Sequence, residues 1–77
     1  MIDSRQCKMA RVALGWSAAK LAGAAKVGVA TVNRFESGAA TPIPATLAAI
    51  ERALEAAGVE FIPENGGGAG VRLRKAS

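Results

Sequence analysis

Apolar residues recur every three or four positions through most of residues 4–57, and glycine or proline interrupts them at short intervals. Because this spacing places the apolar side chains on one face of a helix, it predicts four short amphipathic helices. We expect the helices at about residues 4–14, 18–24, 29–37 and 46–57, with an irregular loop "AATPIP" before the last. The side chains predicted to face the core are Cys7, Ala10, Leu14, Leu21, Ala22, Val32, Phe35, Leu47, Ile50 and Leu54.

After residue 58 the apolar period changes from helical spacing to strict alternation. The segments "VEFI" and "VRLR" predict two short strands at residues 59–62 and 71–74, separated by a glycine-rich loop too long for a tight hairpin. A lone two-stranded ribbon is marginal in water, so we expect it to pair with or pack on a second copy. A disordered basic tail is the alternative for the last residues.

The pattern as a whole predicts a mainly α fold with a short C-terminal two-stranded β extension. We divide the chain into a helical domain at residues 1–58 and an extension with a basic tail at residues 59–77, a possible dimerisation element. A chain of 77 residues holds one small core, which rarely contributes more than about 3–5 kcal/mol unaided. One cysteine and no histidine exclude an internal disulfide and a typical zinc site. We therefore expect the small core to be stabilised further by formation of a homodimer.

The charge distribution favours a polyanionic partner. The formal net charge is +4, and the positive charge is concentrated in the first part of the chain. Residues 1–50 carry only two acids, Asp3 and Glu36, whereas residues 51–64 are acidic. The basic residues of the first part are Arg5, Lys8, Arg11, Lys20, Lys26 and Arg34. No apolar run approaches the roughly 20 residues of a membrane span, and "MIDSRQCK" lacks the apolar centre of a signal peptide. We therefore expect a cytoplasmic protein with no membrane partner.

Residues 10–38, "ARVALGWSAAKLAGAAKVGVATVNRFESG", combine two short helices, a tight turn and polar positions on the second helix. This segment resembles the Cro/lambda-repressor-like (Xre) helix-turn-helix family, whose pattern is roughly A-R-x-x-L-G-[LW]-S-x-x-x-L-A-x-x-x-G-V-S-x-x-T-[IV]-x-R-[IFW]-E-S-G. The helix at residues 46–57 continues the match, and residues 61–77 lie outside it. The resemblance implies a lambda-repressor-like helical bundle that binds double-stranded DNA at the nucleoid.

In this family the third helix enters the major groove by its N-terminal end. Since Val32 and Phe35 are assigned to the core, the expected base contacts are Val29, Ala30, Thr31, Asn33 and Arg34. An arginine at position 34 can bond guanine with two hydrogen bonds, and Asn33 can read adenine or hold a phosphate. The apolar atoms of the remaining three can touch thymine methyl groups.

The expected phosphate contacts are Ser17, Lys20, Lys26 and Gly28. Ser17 matches the family's helix cap, a position that commonly touches a phosphate. The family usually has glycine where Lys26 stands and serine where Gly28 stands. Either Lys26 adopts a left-handed conformation, at a cost on the order of 1 kcal/mol, or the turn has a different shape.

The resemblance also implies a partly buried ion pair between Arg11 and Glu36, which would join the first helix to the recognition helix. Trp16 matches a core or semi-buried position of the family. Cys7 is expected to be a small buried hydrophobe rather than a redox switch.

The leading hypothesis is a transcriptional regulator, expected to act as a repressor, that binds an inverted-repeat operator as a dimer. The alternatives are the antitoxin of a toxin–antitoxin pair that represses its own operon, and a protein-interaction module without DNA affinity. We do not expect an enzyme, a metal or a cofactor, because the chain offers no nucleophile–base set and no metal-ligand cluster. Glu51 and Glu55, one helical turn apart, are interpreted as a solvated face.

Overall fold

The computed structural model describes residues 2–63 and 66–74, which form four helices followed by a two-stranded antiparallel sheet. This arrangement confirms the predicted mainly α fold. The elements are α1 (Ser4–Ala13), α2 (Ala18–Ala25), α3 (Val29–Ser37), α4 (Pro44–Ala56), β1 (Val59–Ile62) and β2 (Gly70–Leu73).

Helix α1 begins at a complete capping box. The Asp3 side chain accepts a hydrogen bond from the Gln6 backbone N–H at 2.8 Å, and the Gln6 side chain accepts one from the Asp3 N–H at 3.0 Å. Two backbone donors that an α-helix leaves unpaired at its start are therefore satisfied by side chains. This cap fixes the start of α1 and holds Gln6 in a defined position.

The prediction for the start of the last helix was wrong by two residues. Helix α4 begins at Pro44, whereas the sequence pattern placed its start at residue 46. Proline fits the first turn of a helix because its fixed φ is already helical and its missing N–H would have no partner there. The segment interpreted as irregular loop therefore ends at Ile43. The ends of α1, α2 and α4 and both ends of β2 differ from the prediction by one residue.

One core lies at the centre of the four helices. The largest fully buried side chains include Leu21, Val32, Ile50 and Leu54, which come from α2, α3 and α4. Nine of the ten predicted core residues are buried, and the tenth, Leu14, is half-buried against the same cluster. The periodic pattern of the sequence thus correctly predicts which face of each helix is turned toward the core.

The ribbon packs on its own chain. Val59 pairs with Leu73 and Phe61 with Val71 across the two strands, so these four side chains share one face. Strand β2 contacts α1 and strand β1 contacts α4, with Val59 fully buried. The ribbon thus packs partly on its own chain, while Leu73 on the same face is 49% exposed, and the expected contact with a second copy stays a prediction.

Gln6 holds the ribbon to α1. Its side-chain amide donates to the carbonyl oxygens of Ile62 at 3.2 Å and Gly70 at 3.1 Å, which are paired residues of the two strands. The same side chain thus caps a helix with its oxygen and joins both strands with its nitrogen. Gln6 is the buried polar residue that the sequence reasoning missed.

Candidate nucleic-acid interface

Helix α3 has one buried face and one exposed face. Val32 and Phe35 are buried against α2 and the rest of the core. Of the five residues predicted to contact bases, four are exposed, and Thr31 is half-buried. The exposed four are Val29, Ala30, Asn33 and Arg34. The structure therefore brings the predicted base contacts together on the outer face of one helix.

The turn between α2 and α3 contains a lysine in the left-handed region. Lys26 has φ 58° and ψ 46°, and the Val27 N–H bonds back to the Ala22 carbonyl at 3.0 Å. Helix α3 ends with the same hydrogen-bond pattern around Gly38, whose φ is 81°. Glycine is the usual residue for this conformation because it has no Cβ to clash. The first of the two alternatives for the turn, a left-handed Lys26, is therefore the one observed.

The two helices of this unit begin differently. Ser17 caps α2, since its hydroxyl oxygen accepts a hydrogen bond from the Lys20 N–H at 3.0 Å. Gly28 stands at the start of α3 and supplies no side-chain cap. The first N–H groups of α3 therefore point outward without a side-chain partner at the end that carries Val29 and Ala30.

Two of the predicted phosphate contacts are lysines with different surroundings. The Lys20 ammonium lies 5.7 Å from the centre of the Trp16 ring, within the range of a cation–π contact. Lys26 is exposed in the turn. Trp16 itself is half-buried against the core, as its position in the sequence predicted.

An ion pair joins α1 to α3. The Arg11 guanidinium donates to both carboxylate oxygens of Glu36, Nε to Oε2 and Nη2 to Oε1, each at 2.9 Å. Its third nitrogen donates to the Trp16 carbonyl at 2.9 Å. The side chains of Arg11 and Glu36 are 17% and 8% exposed. The hydrogen bond to Glu36 raises the pKa of Arg11 above its ordinary value, so this guanidinium stays charged.

The profile of the helix-turn-helix domain family matches residues 4–61, which is most of the chain. The chain belongs to the helix-turn-helix domain family. The match runs from α1 into β1 and includes the α2–turn–α3 unit whose outer face carries the predicted contacts. Membership of this family assigns the protein to DNA binding and transcriptional regulation. No curated protein matches the chain.

The helix-turn-helix domain contains a buried thiol that belongs to the same cluster as the ion pair. Cys7 is fully buried, as predicted, and its thiol donates a hydrogen bond to Glu36 Oε2 at an Sγ–Oε2 distance of 3.5 Å. Burial, and next the Glu36 carboxylate, raise the pKa of Cys7 to about 12. Sequence reasoning missed this third member, although Cys7 and Arg11 stand four residues apart on one face of α1.

A cleft lies beside the exposed face of α3. Its volume is about 340 Å³, and its lining includes Thr31 and Arg34 from α3 together with Thr41 and Ile43 from the loop before α4. Ile43 is the most exposed large hydrophobic side chain of the described residues, at 69%. The helix-turn-helix domain thus places a second segment next to Arg34, which the sequence reasoning did not identify.

Two kinds of feature are absent from residues 2–63 and 66–74. No group of three or more His, Cys, Asp or Glu side chains is arranged to hold a metal ion there. In the same part of the chain, no helix is long and apolar enough to cross a membrane.

Proposed function

We propose that this protein is a Cro/lambda-repressor-like (Xre) regulator that binds an inverted-repeat operator as a two-fold dimer and represses transcription. The observation that carries the proposal is the division of α3 into an anchored face and an outer face. Val32 and Phe35 fix one side of the helix in the core, and Glu36 ties it to α1. The outer side is left with Val29, Ala30, Asn33 and Arg34.

Arg34 is the proposed reader of guanine. It is exposed, and within the described residues its guanidinium donates no hydrogen bond to another protein group. A planar guanidinium can bond O6 and N7 of one guanine, which discriminates against other bases by about 1–3 kcal/mol. Asn33 would read adenine or a phosphate, while Val29, Ala30 and the half-buried Thr31 would approach thymine methyl groups.

The proposed phosphate contacts lie at the beginnings of α2 and α3. Ser17 accepts the Lys20 N–H through its oxygen, which leaves the hydroxyl proton for a phosphate oxygen. The uncapped start of α3 at Gly28 offers backbone N–H groups to an anion. Lys20 and Lys26 add positive charge nearby. These contacts would set the position of the protein on DNA rather than its sequence preference.

The dimer, the operator and repression are the finer parts of the proposal. Two recognition helices in successive major grooves would lie about 34 Å apart, so the half-sites would be about one helical turn apart. Repression would need only occupancy of the operator. We propose residues 1–58 as the DNA-binding part and residues 59–77 as the extension, a possible dimerisation element. A toxin partner and a nucleoid location stay predictions from sequence.

DNA binding is tested by fluorescence polarisation of a labelled duplex with increasing salt. We expect affinity to fall steeply, because each neutralised phosphate releases counterions with a log–log slope of about −0.9. The variant Lys20→Ala should make the slope less steep by about one unit. The matched control is Arg52→Ala, because Arg52 is an exposed basic residue on α4. No binding to DNA at low salt would overturn the proposal and favour a protein-interaction module.

A further inference from the structure

A shallow groove of about 760 Å³ lies between the exposed face of α1 and residues 67–69 of the loop before β2. The α1 side consists of Arg5, Lys8, Met9, Val12 and Ala13, and we call this surface the α1 groove. The loop side is Gly67, Gly68 and Ala69, whose small size leaves the groove open. None of these residues belongs to the outer face of α3.

The floor of the α1 groove is apolar and open to solvent. Met9 is 40% exposed and Val12 is 59% exposed, whereas Cys7 and Ala10 on the opposite side of the helix are fully buried. Positions 9, 12 and 13 follow helical spacing, so their side chains form one continuous stripe. Because the opposite face of α1 is already filled by the core, this stripe is left uncovered among the described residues and is open to a partner.

The rim of the α1 groove is basic. Arg5 and Lys8 are both exposed, and they stand on the same side of α1 as Val12. No acidic side chain lines the groove among the described residues. An apolar floor with a basic rim fits a partner that presents apolar residues flanked by carboxylates.

The composition of the α1 groove disfavours two other occupants. A second copy docked by the same face across a two-fold axis would bring like charges at Arg5 and Lys8 together. A DNA backbone would meet the basic rim, but it would gain nothing from Met9 and Val12, whose apolar surface would lie against phosphates. A helix that lays its apolar stripe into the groove uses both the floor and the rim.

We propose that the α1 groove binds an acidic amphipathic helix of a partner protein. The large apolar side chains of that helix would cover Met9, Val12 and Ala13, and its carboxylates would face Arg5 and Lys8. The site lies on α1 and not on α3, so its occupation does not depend on the operator. The inference therefore stands apart from the proposed function and can be tested on protein without DNA.

The probe is a fluorescein-labelled peptide of about 16 residues, long enough for a helix, with leucines along one face and glutamates on the other. A scrambled peptide of the same composition keeps the charge and loses the stripe. We expect the first to bind with a Kd in the micromolar range and the scrambled one at least about tenfold more weakly. The full chain is used, and binding is measured by polarisation.

Two sets of variants locate the site. Val12→Asn removes apolar surface without changing charge and should raise the Kd of the peptide by about tenfold. Ile43→Asn is the matched control, because Ile43 is an exposed apolar residue outside the groove. The pair Arg5→Glu and Lys8→Glu should shift the preference to a peptide in which lysines replace the glutamates. Thermal melting of each variant checks that the fold is retained.

Several results would overturn the proposal. Equal binding of the scrambled peptide would mean only general attraction to a positive protein. Equal loss in Val12→Asn and Ile43→Asn would mean that the peptide binds apolar surface in general and not the α1 groove. Self-association that Val12→Asn abolishes in sedimentation would assign the groove to a second copy. Competition between peptide and duplex DNA would place the groove in the DNA interface. Loss of DNA binding alone, with the peptide results intact, would contradict only the proposed function.

Discussion

Arg11 on α1 donates to both carboxylate oxygens of Glu36 on α3, 25 residues away along the chain. Glu36 is the less exposed partner, and it also accepts from the Cys7 thiol. The pair lies at the C-terminal end of α3, opposite the end that carries Val29 and Ala30. The orientation of α3 is therefore fixed from its C-terminal end by a partly buried charge pair.

Replacing Arg11 by methionine should destabilise the domain. The substitution keeps much of the aliphatic length but leaves the Glu36 carboxylate without its cation, at a cost of about 3–5 kcal/mol, which is enough to weaken or unfold a domain of this size. The free energy of unfolding from urea denaturation is the measurement. A wild-type melting temperature in Arg11→Met would contradict the structural role of the pair.

The double variant Arg11→Met with Glu36→Leu is the control for that experiment. Replacing both charges by apolar groups removes the stranded carboxylate, so it should recover most of the stability that Arg11→Met loses. If the double variant is as unstable as the single one, the loss reflects packing of Arg11 and not its charge.

The left-handed Lys26 offers a second test. Lys26→Gly should stabilise the domain by about 0.5–1 kcal/mol, the relief of backbone strain less the greater freedom of glycine in the unfolded chain. Thermal denaturation should then show an increase in Tm of a few degrees. Lys26→Ala is the matched variant, because it removes the same charge and keeps the strain. An equal stability change in both variants would show that strain at this position is negligible.

Gln6 links the start of α1 to the ribbon, and Gln6→Glu separates its two roles. Glutamate keeps the acceptor of the capping box, but at neutral pH it cannot donate to the carbonyls of Ile62 and Gly70. We expect a loss of about 3 kcal/mol, with faster hydrogen exchange at the amides of β1 and β2. Part of the protection should return as the pH is lowered, because burial and the two facing carbonyl oxygens favour the protonated carboxyl group, which regains a donor. Unchanged exchange in the ribbon at neutral pH would contradict this account.

The sequence predicted the helical faces because burial follows helical periodicity, as at Leu21 and Val32. It also predicted α3 to the residue, because Gly28 and Gly38 bound that helix on either side. The start of α4 was missed since a proline such as Pro44 suits both a loop and the first turn of a helix.

The role of Gln6 could not be predicted, because its two acceptors lie 56 and 64 residues away in the chain. The α1 groove was missed for the same reason, since no local pattern places residues 67–69 beside α1. For the candidate interface, the sequence indicated which residues of α3 face outward, whereas the position of Ile43 beside Arg34 is seen only in the structure.

The buried Cys7 thiol makes stability depend on pH. Its pKa is raised from the ordinary value of 9.0 to about 12, so the folded state keeps a proton that the unfolded state loses above pH 9. The corresponding stabilisation is complete below pH 9 and decreases as the pH rises toward 12, by at most about 1.4 kcal/mol per pH unit. Urea denaturation between pH 8 and about 10 should show this slope in wild type and not in Cys7→Ser. Parallel curves for the two proteins would contradict burial of the thiol.

The central claim is that the outer face of α3 reads bases, with Arg34 on guanine. Selection of bound sites from random duplex DNA, carried out with wild type and Arg34→Ala, tests it most directly. We predict an inverted repeat with half-sites about one turn apart for wild type, and loss of preference at one base pair of each half-site, worth about 1–3 kcal/mol, for the variant. No enriched sequence for wild type, or the same sequence with the same preference for Arg34→Ala, would contradict the claim.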